Sequence, residues 1–213
     1  MAEDAAPAPH WRARVIETGD FALDEQEAGA GPPLLCLGFD DPQASRLLDD
    51  LAASFTLISL NAAAASLGAS DALDAHGFAR AALDCADRLA LKRFPVLARG
   101  DEDHAALCLS LLAPQRVCAV ALLAPDLHSR DGAAEDAELL ERLREVATPV
   151  LAVFGAMDRV ATPATARLWR ERLPDAKMVF VQDAAQDVDR ERPRATARVV
   201  ADFMTRHCGD APE

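Results

Sequence analysis

The side chains of this chain best suited to acid–base or nucleophilic chemistry fall in short polar segments that directly follow apolar runs. Asp101-Glu102-Asp103-His104 comes after Phe94-Pro95-Val96-Leu97-Ala98-Arg99-Gly100, Asp40-Asp41 comes after Leu34-Leu35-Cys36-Leu37-Gly38-Phe39, and Asp158 closes the stretch 149–158. A carboxylate can orient an imidazole or take a proton, and His104, one turn into a helix, has the ring to act as a base. Two readings of the acidic run are open. Carboxylates in a helix's first turn complement its dipole and cap its free N–H groups. Gathered with Asp40, Asp41 and Asp158 at one end of a sheet, they would form an acidic mouth suited to a cation, an amine or a basic protein surface, and would repel carboxylates. No ligand spacing supports a metal site, and no cofactor motif is present.

These segments need a scaffold, and the hydrophobic pattern supplies one. Residues 11–27 read as a hairpin around Thr18-Gly19-Asp20. Gly29-Ala30-Gly31-Pro32-Pro33 then breaks the chain before the run 34–38, continuous enough for a parallel strand buried on both faces. Strands follow at 55–60, 94–98, 117–123, 149–154 and 178–181. Between them, helical spacing marks 47–55, 71–91, 101–112, 135–146, 165–173 and 194–207. Strands alternating with helices require right-handed crossovers onto a mostly parallel sheet, so the expectation is a doubly wound α/β domain over 11–207. Residues 1–10 read as a disordered head, 208–213 as a loose tail, and the alanine-rich 61–65 as a loop.

With 213 residues, 51% of them hydrophobic, the chain can bury an apolar core without staples. Aromatics make up only 5% and tyrosine is absent, so no step can use a phenol. A formal charge of −13 excludes nucleic acid and anionic membrane as partners and mainly supplies solubility. Cys36, Cys85, Cys108, Cys118 and Cys208 stand singly without C-x-x-C spacing, which reads as buried thiols in a reducing cytosol. The head lacks the basic and apolar regions of a signal peptide, and no apolar run is long enough to span a membrane. The expected location is cytoplasmic.

Taken together, these segments resemble the α/β-hydrolase family over 11–207. Pro32-Pro33-Leu34-Leu35-Cys36-Leu37-Gly38-Phe39 is similar to the strand that leads to the family's oxyanion loop, with Leu37 in place of a histidine. The stretch from Val96 through Pro114-Gln115-Arg116-Val117 to Leu122-Leu123-Ala124-Pro125 matches the nucleophile elbow, its helix and the next strand without a gap, which puts Gly100 at the nucleophile position. Pro149 to Asp158 resembles the strand and turn that present the acid, and Asp158 occupies that position. Ala185-Gln186 and Glu191-Arg192-Pro193 resemble the family's "G-H" and "E-R-P", with Gln186 where the base would stand. The resemblance implies an α/β fold of the hydrolase type, a doubly wound sheet with an N-terminal hairpin and no cap domain, since 125–149 holds only His128-Ser129-Arg130-Asp131-Gly132 and one helix.

The family's mechanism needs a nucleophile, an imidazole and an orienting carboxylate together. Gly100 cannot attack, and Gln186 cannot act as a base near neutral pH. Ala98 keeps one small elbow flank and Glu102 abandons the other. A shift of one residue would make Asp101 a carboxylate nucleophile, as in the dehalogenase branch, but its flanks would be Arg99 and Asp103. The backbone N–H groups of Phe39 and Asp101 hold the oxyanion-donor positions, which require no particular side chain. The resemblance therefore implies a catalytically degenerate site with Asp158 surviving, and Phe39, Gly100, Asp101 and Gln186 around a shallow, open binding place. The leading expectation is a protein that acts by binding a small molecule or a protein partner, as scaffold, regulatory subunit or sensor. Its rivals are a hydrolase of esters, thioesters or related acyl compounds with a non-standard site, and a structural paralogue within an assembly.

Overall fold

Val117–Leu123 is buried at all seven positions, and Val150–Gly155 at all six, so both segments must lie inside a sheet covered on each face. The computed structural model describes residues 9–18, 21–62, 74–125, 134–159, 163–173 and 175–209. The expectations for residues 1–8, the Gly19-Asp20 turn, 63–65, 71–73, 128–132 and 210–213 lie outside them.

Eight strands form one sheet: β1 (Arg12–Thr18), β2 (Phe21–Gly29), β3 (Pro33–Leu37), β4 (Thr56–Ala62), β5 (Phe94–Arg99), β6 (Val117–Leu123), β7 (Val150–Gly155) and β8 (Lys177–Val181). Their order across the sheet is β1-β2-β4-β3-β5-β6-β7-β8. β1 and β2 form the expected antiparallel hairpin, β2 pairs antiparallel with β4, and the rest of the sheet is parallel. Arg14 and Glu25 sit opposite one another in the hairpin and form an ion pair that satisfies the buried Glu25 carboxylate.

The helices are α1 (Arg46–Ala52), α2 (Ala75–Arg88), α3 (Asp103–Leu112), α4 (Ala134–Arg142), α5 (Pro163–Arg172), α6 (Val188–Glu191) and α7 (Pro193–Cys208). Strand alternation divides the core. Leu35, Leu37, Val96, Ala98, Leu122 and Phe154 pack with Phe78 and Cys85 of α2, Leu107 of α3 and Trp169 of α5. Leu34, Cys36, Leu97, Ala121 and Val153 pack with Leu47, Leu48 and Leu51 of α1 and with Val200, Phe203 and Met204 of α7. Burying each Leu, Val, Phe or Met among them contributes roughly 1.5 to 3 kcal/mol. Among the described residues, only α4 and a short 3-10 turn (Leu143–Glu145) lie between β6 and β7, and no helix is long and apolar enough to cross a membrane.

Several boundaries move for local reasons. Asp74 accepts from the Gly77 amide and so starts α2, placing Gly77 in the first turn rather than as an interruption of a longer helix. α6 was not expected, because four residues show no helical period.

The cysteines require a correction. Cys118 on β6 and Cys208 at the end of α7 form a disulfide, with Cα atoms 5.6 Å apart. The two are separated by 90 residues, so spacing could not reveal the pair. Cys208 is therefore an anchored helix terminus and not part of a loose tail. Disulfides persist mainly in oxidising compartments, so cysteine usage no longer argues for the cytosol. Cys36, Cys85 and Cys108 are the buried free thiols expected.

Candidate functional site

The site begins with the alternation of β5. Val96 and Ala98 face α2 and α3, whereas Leu97 faces α1 and α7, so Arg99 continues the pattern toward the α1 side. At Gly100 the chain turns with φ +66° into a 3-10 turn (Gly100–Glu102) that leads into α3. That left-handed backbone costs an L-residue about 1 to 2 kcal/mol and costs glycine nothing comparable. A Cβ built on Gly100 would meet nothing within 4 Å. The corner is an unstrained left-handed turn because it is glycine, and the space in front of it is open.

The loop after β3 lies against this corner. A Cβ on Gly38 would fall 2.1 Å from the Arg99 carbonyl oxygen, so the end of β3 touches the elbow directly. Asn61 donates to the Phe39 carbonyl at 2.8 Å, which fixes the peptide that follows. Phe39 itself is buried, and the Asp101 backbone lies in the 3-10 turn.

The turns that carry Asp158 and Gln186 are held together by backbone contacts. Beyond β7, the Ala156 amide donates to the Val181 carbonyl and the Met157 amide to the Ala184 carbonyl, both at 2.8 Å. A Cβ on Gly155 would lie 1.9 Å from the Ala185 carbonyl oxygen, so only glycine allows this approach. The Glu191 carboxylate then accepts from the Ala185 and Asp187 amides at 3.0 and 3.2 Å, clamping the Gln186 loop. Arg192 donates to the Asp183 carbonyl and pairs with its carboxylate. Asp158 is half-buried and Gln186 is exposed. The turns bearing Gly100, Asp158 and Gln186 all leave the same edge of the sheet, where the parallel strands β5, β7 and β8 end.

Arg99 was read only as an elbow flank, and here it organises the site. Its Nε lies 3.0 Å from an Asp189 carboxylate oxygen and an Nη lies 3.3 Å from Asp187. Asp189 is only 6% exposed, so the guanidinium supplies the charge its carboxylate needs. Arg99 and Asp189 line a cleft of about 440 Å³ with Phe39, Asp40, Asp41, Arg46 and Arg190. The alternation of β5 was the available signal for Arg99. Nothing in linear order joined it to Asp189.

The acidic-mouth reading therefore changes character. Asp40 and Asp41 do open onto the cleft, but three arginines share it, and Asp103 is buried in the first turn of α3. Neither Arg99 nor Glu102 makes a side-chain cap at its helix start, while Asp103 in the first turn of α3 complements its dipole. His104 is half-buried on α3, one turn beyond the corner.

Glu102, in place of the small elbow flank, is held above the ordinary carboxyl range, first by burial and then by the charge of Asp40. A raised folded-state value means that the folded protein holds this proton more tightly than the unfolded chain, so stability is lost as pH rises through the window above the ordinary 4.5. Glu102→Gln is expected to raise the urea midpoint at pH 7 and leave it nearly unchanged at pH 4. An equal effect at both pH values would assign the gain to something other than ionisation.

Burial pushes the Cys36 thiol upward and the Cys85 thiol up to about 12, so neither is a ready nucleophile. Among the described residues, no three His, Cys, Asp or Glu side chains gather where they could hold a metal ion.

No protein-family model and no curated protein sequence matches this chain. Solved structures do. A putative hydrolase from Bacillus subtilis superposes with a TM-score of 0.75 at 15% identity, covering 92% of this chain and 93% of that one. E-2-(acetamidomethylene)succinate hydrolase gives 0.73 at 18% identity over 91% and 99% of the two chains. Naproxen esterase from Bacillus subtilis gives 0.73 at 14% identity over 92% of each. With the strand order, the left-handed corner after β5 and the turns after β7 and β8, these likenesses establish that the chain has the α/β-hydrolase fold.

Proposed function

We propose that this protein works by binding on a hydrolase scaffold whose nucleophile and base have been lost. The observation that carries the reading is Gly100: a left-handed elbow with open space in front of it and no side chain to attack with. Gln186 adds an amide where proton transfer needs an imidazole. Oxyanion donors alone would leave only a small residue of the usual acceleration. The corner is then best suited to holding a carbonyl or similar group without cleaving it.

A second reading has one observation in its favour. Glu102 is a carboxyl group held above its ordinary range at the elbow itself, as a general acid or base would be, and several structural neighbours are named as hydrolases or esterases. On that reading the protein cleaves an acyl substrate through a carboxylate, Glu102 or Asp158, rather than a serine.

One experiment separates the two. Against p-nitrophenyl acetate and a serine-directed phosphonate probe, the unaltered protein is expected to show no turnover above background and no labelling. Gly100→Ser with Gln186→His should gain phosphonate labelling, because the corner has room for the new side chain. Turnover by the unaltered protein that Asp158→Asn or Glu102→Gln abolishes would overturn the binding reading and establish the second.

A further inference from the structure

The cleft beside the elbow is built from separate parts of the chain. Asp40 and Asp41 come from the loop after β3, Arg46 from the start of α1, Arg99 from the end of β5, and Asp189 and Arg190 from α6. Its floor is already paired, with Arg99 held between Asp187 and the buried Asp189. Its rim is not. Asp40, Asp41, Arg46 and Arg190 are all exposed; Arg46 also acts on the Asp49 carboxylate and Asp40 on that of Glu102, but among the described residues no ion pair joins the rim carboxylates to the rim guanidiniums. The volume, about 440 Å³, lies within the usual range for small-molecule sites.

We infer that this cleft binds a small zwitterion, with its carboxylate on Arg46 and Arg190 and its ammonium group on Asp40 and Asp41. A simple anion would gain the two guanidiniums but face two carboxylates in the same cleft, and a simple cation would meet the reverse. Only a ligand carrying both charges meets both pairs favourably, and an arginine presents a planar fork matched to a carboxylate.

The inference rests on the binding reading above, and the two fail separately. The probe series is 6-aminohexanoate, hexanoate and hexylammonium, which share one chain and differ only in charge, measured by calorimetric and NMR titration of the full chain. 6-Aminohexanoate is expected to bind saturably in the millimolar range or tighter, and the two singly charged probes at least about ten-fold more weakly. Arg190→Gln and Asp40→Asn should each weaken it roughly five- to ten-fold while the thermal midpoint stays unchanged, and added salt should weaken it further. Equal binding of all three probes, or no saturation by 6-aminohexanoate up to about 20 mM, would overturn the inference. Neither result bears on ester turnover, which decides the binding reading by itself.

Discussion

Reducing the Cys118–Cys208 bond is expected to lower the unfolding free energy by about 4 to 5 kcal/mol, the loop-closure entropy released when a cross-link spanning 90 residues is removed. The bond ties the last residue of α7 to β6, and α7 carries Val200, Phe203 and Met204 into one face of the core. Without it the helix still has its apolar contacts, so the folded state should persist while the unfolded chain gains freedom. The expected signature is a lower urea midpoint with dithiothreitol than without, together with a steeper transition, because the reduced unfolded chain exposes more surface. Cys118→Ala and Cys208→Ala should each reproduce the shift, and reductant should then change neither variant. Thiol titration of the denatured, unreduced protein should find three free cysteines of the five. A count of five with no effect of reductant would remove the bond from the account.

Gly38→Ala is expected to cost more than about 3 kcal/mol, and Gly100→Ala only about 1 to 2. Both glycines have positive φ, at +80° and +66°, so both substitutions pay the conformational term. They differ in what the new Cβ meets. At Gly38 it would fall 2.1 Å from the Arg99 carbonyl oxygen, a backbone atom that no rotamer change can move, whereas at Gly100 there is open space. Relieving the first clash means separating β3 from the elbow, which would also displace the Phe39 peptide held by Asn61. Thermal and urea unfolding of the two variants side by side give the comparison. Equal costs would mean that the close approach of loop and elbow is not maintained in solution.

The sheet was legible before any coordinates because fully buried parallel strands must be continuously apolar, as 34–38, 117–123 and 149–154 are. The hairpin followed from its turn residues, and the left-handed elbow from glycine at one position of a motif whose register was ungapped. The sequence by itself therefore determined the α/β order and the residue types, Gly100 and Gln186, that follow β5 and β8. What it could not carry were contacts between residues far apart in the chain. Arg99 and Asp189 form their ion pair only because β5 ends beside α6, and Cys118 meets Cys208 only because α7 runs back across the sheet. The same limit misjudged the acidic mouth, since counting Asp40, Asp41 and Asp101 to Asp103 along the chain gave no means of seeing Arg46 and Arg190 arrive from other elements, or Asp103 turn into the core. Local order sets which residues can exist at a strand end, because periodicity and φ are properties of neighbours in sequence. Which charges face one another there is decided by crossovers, and those exist only once the whole sheet has formed.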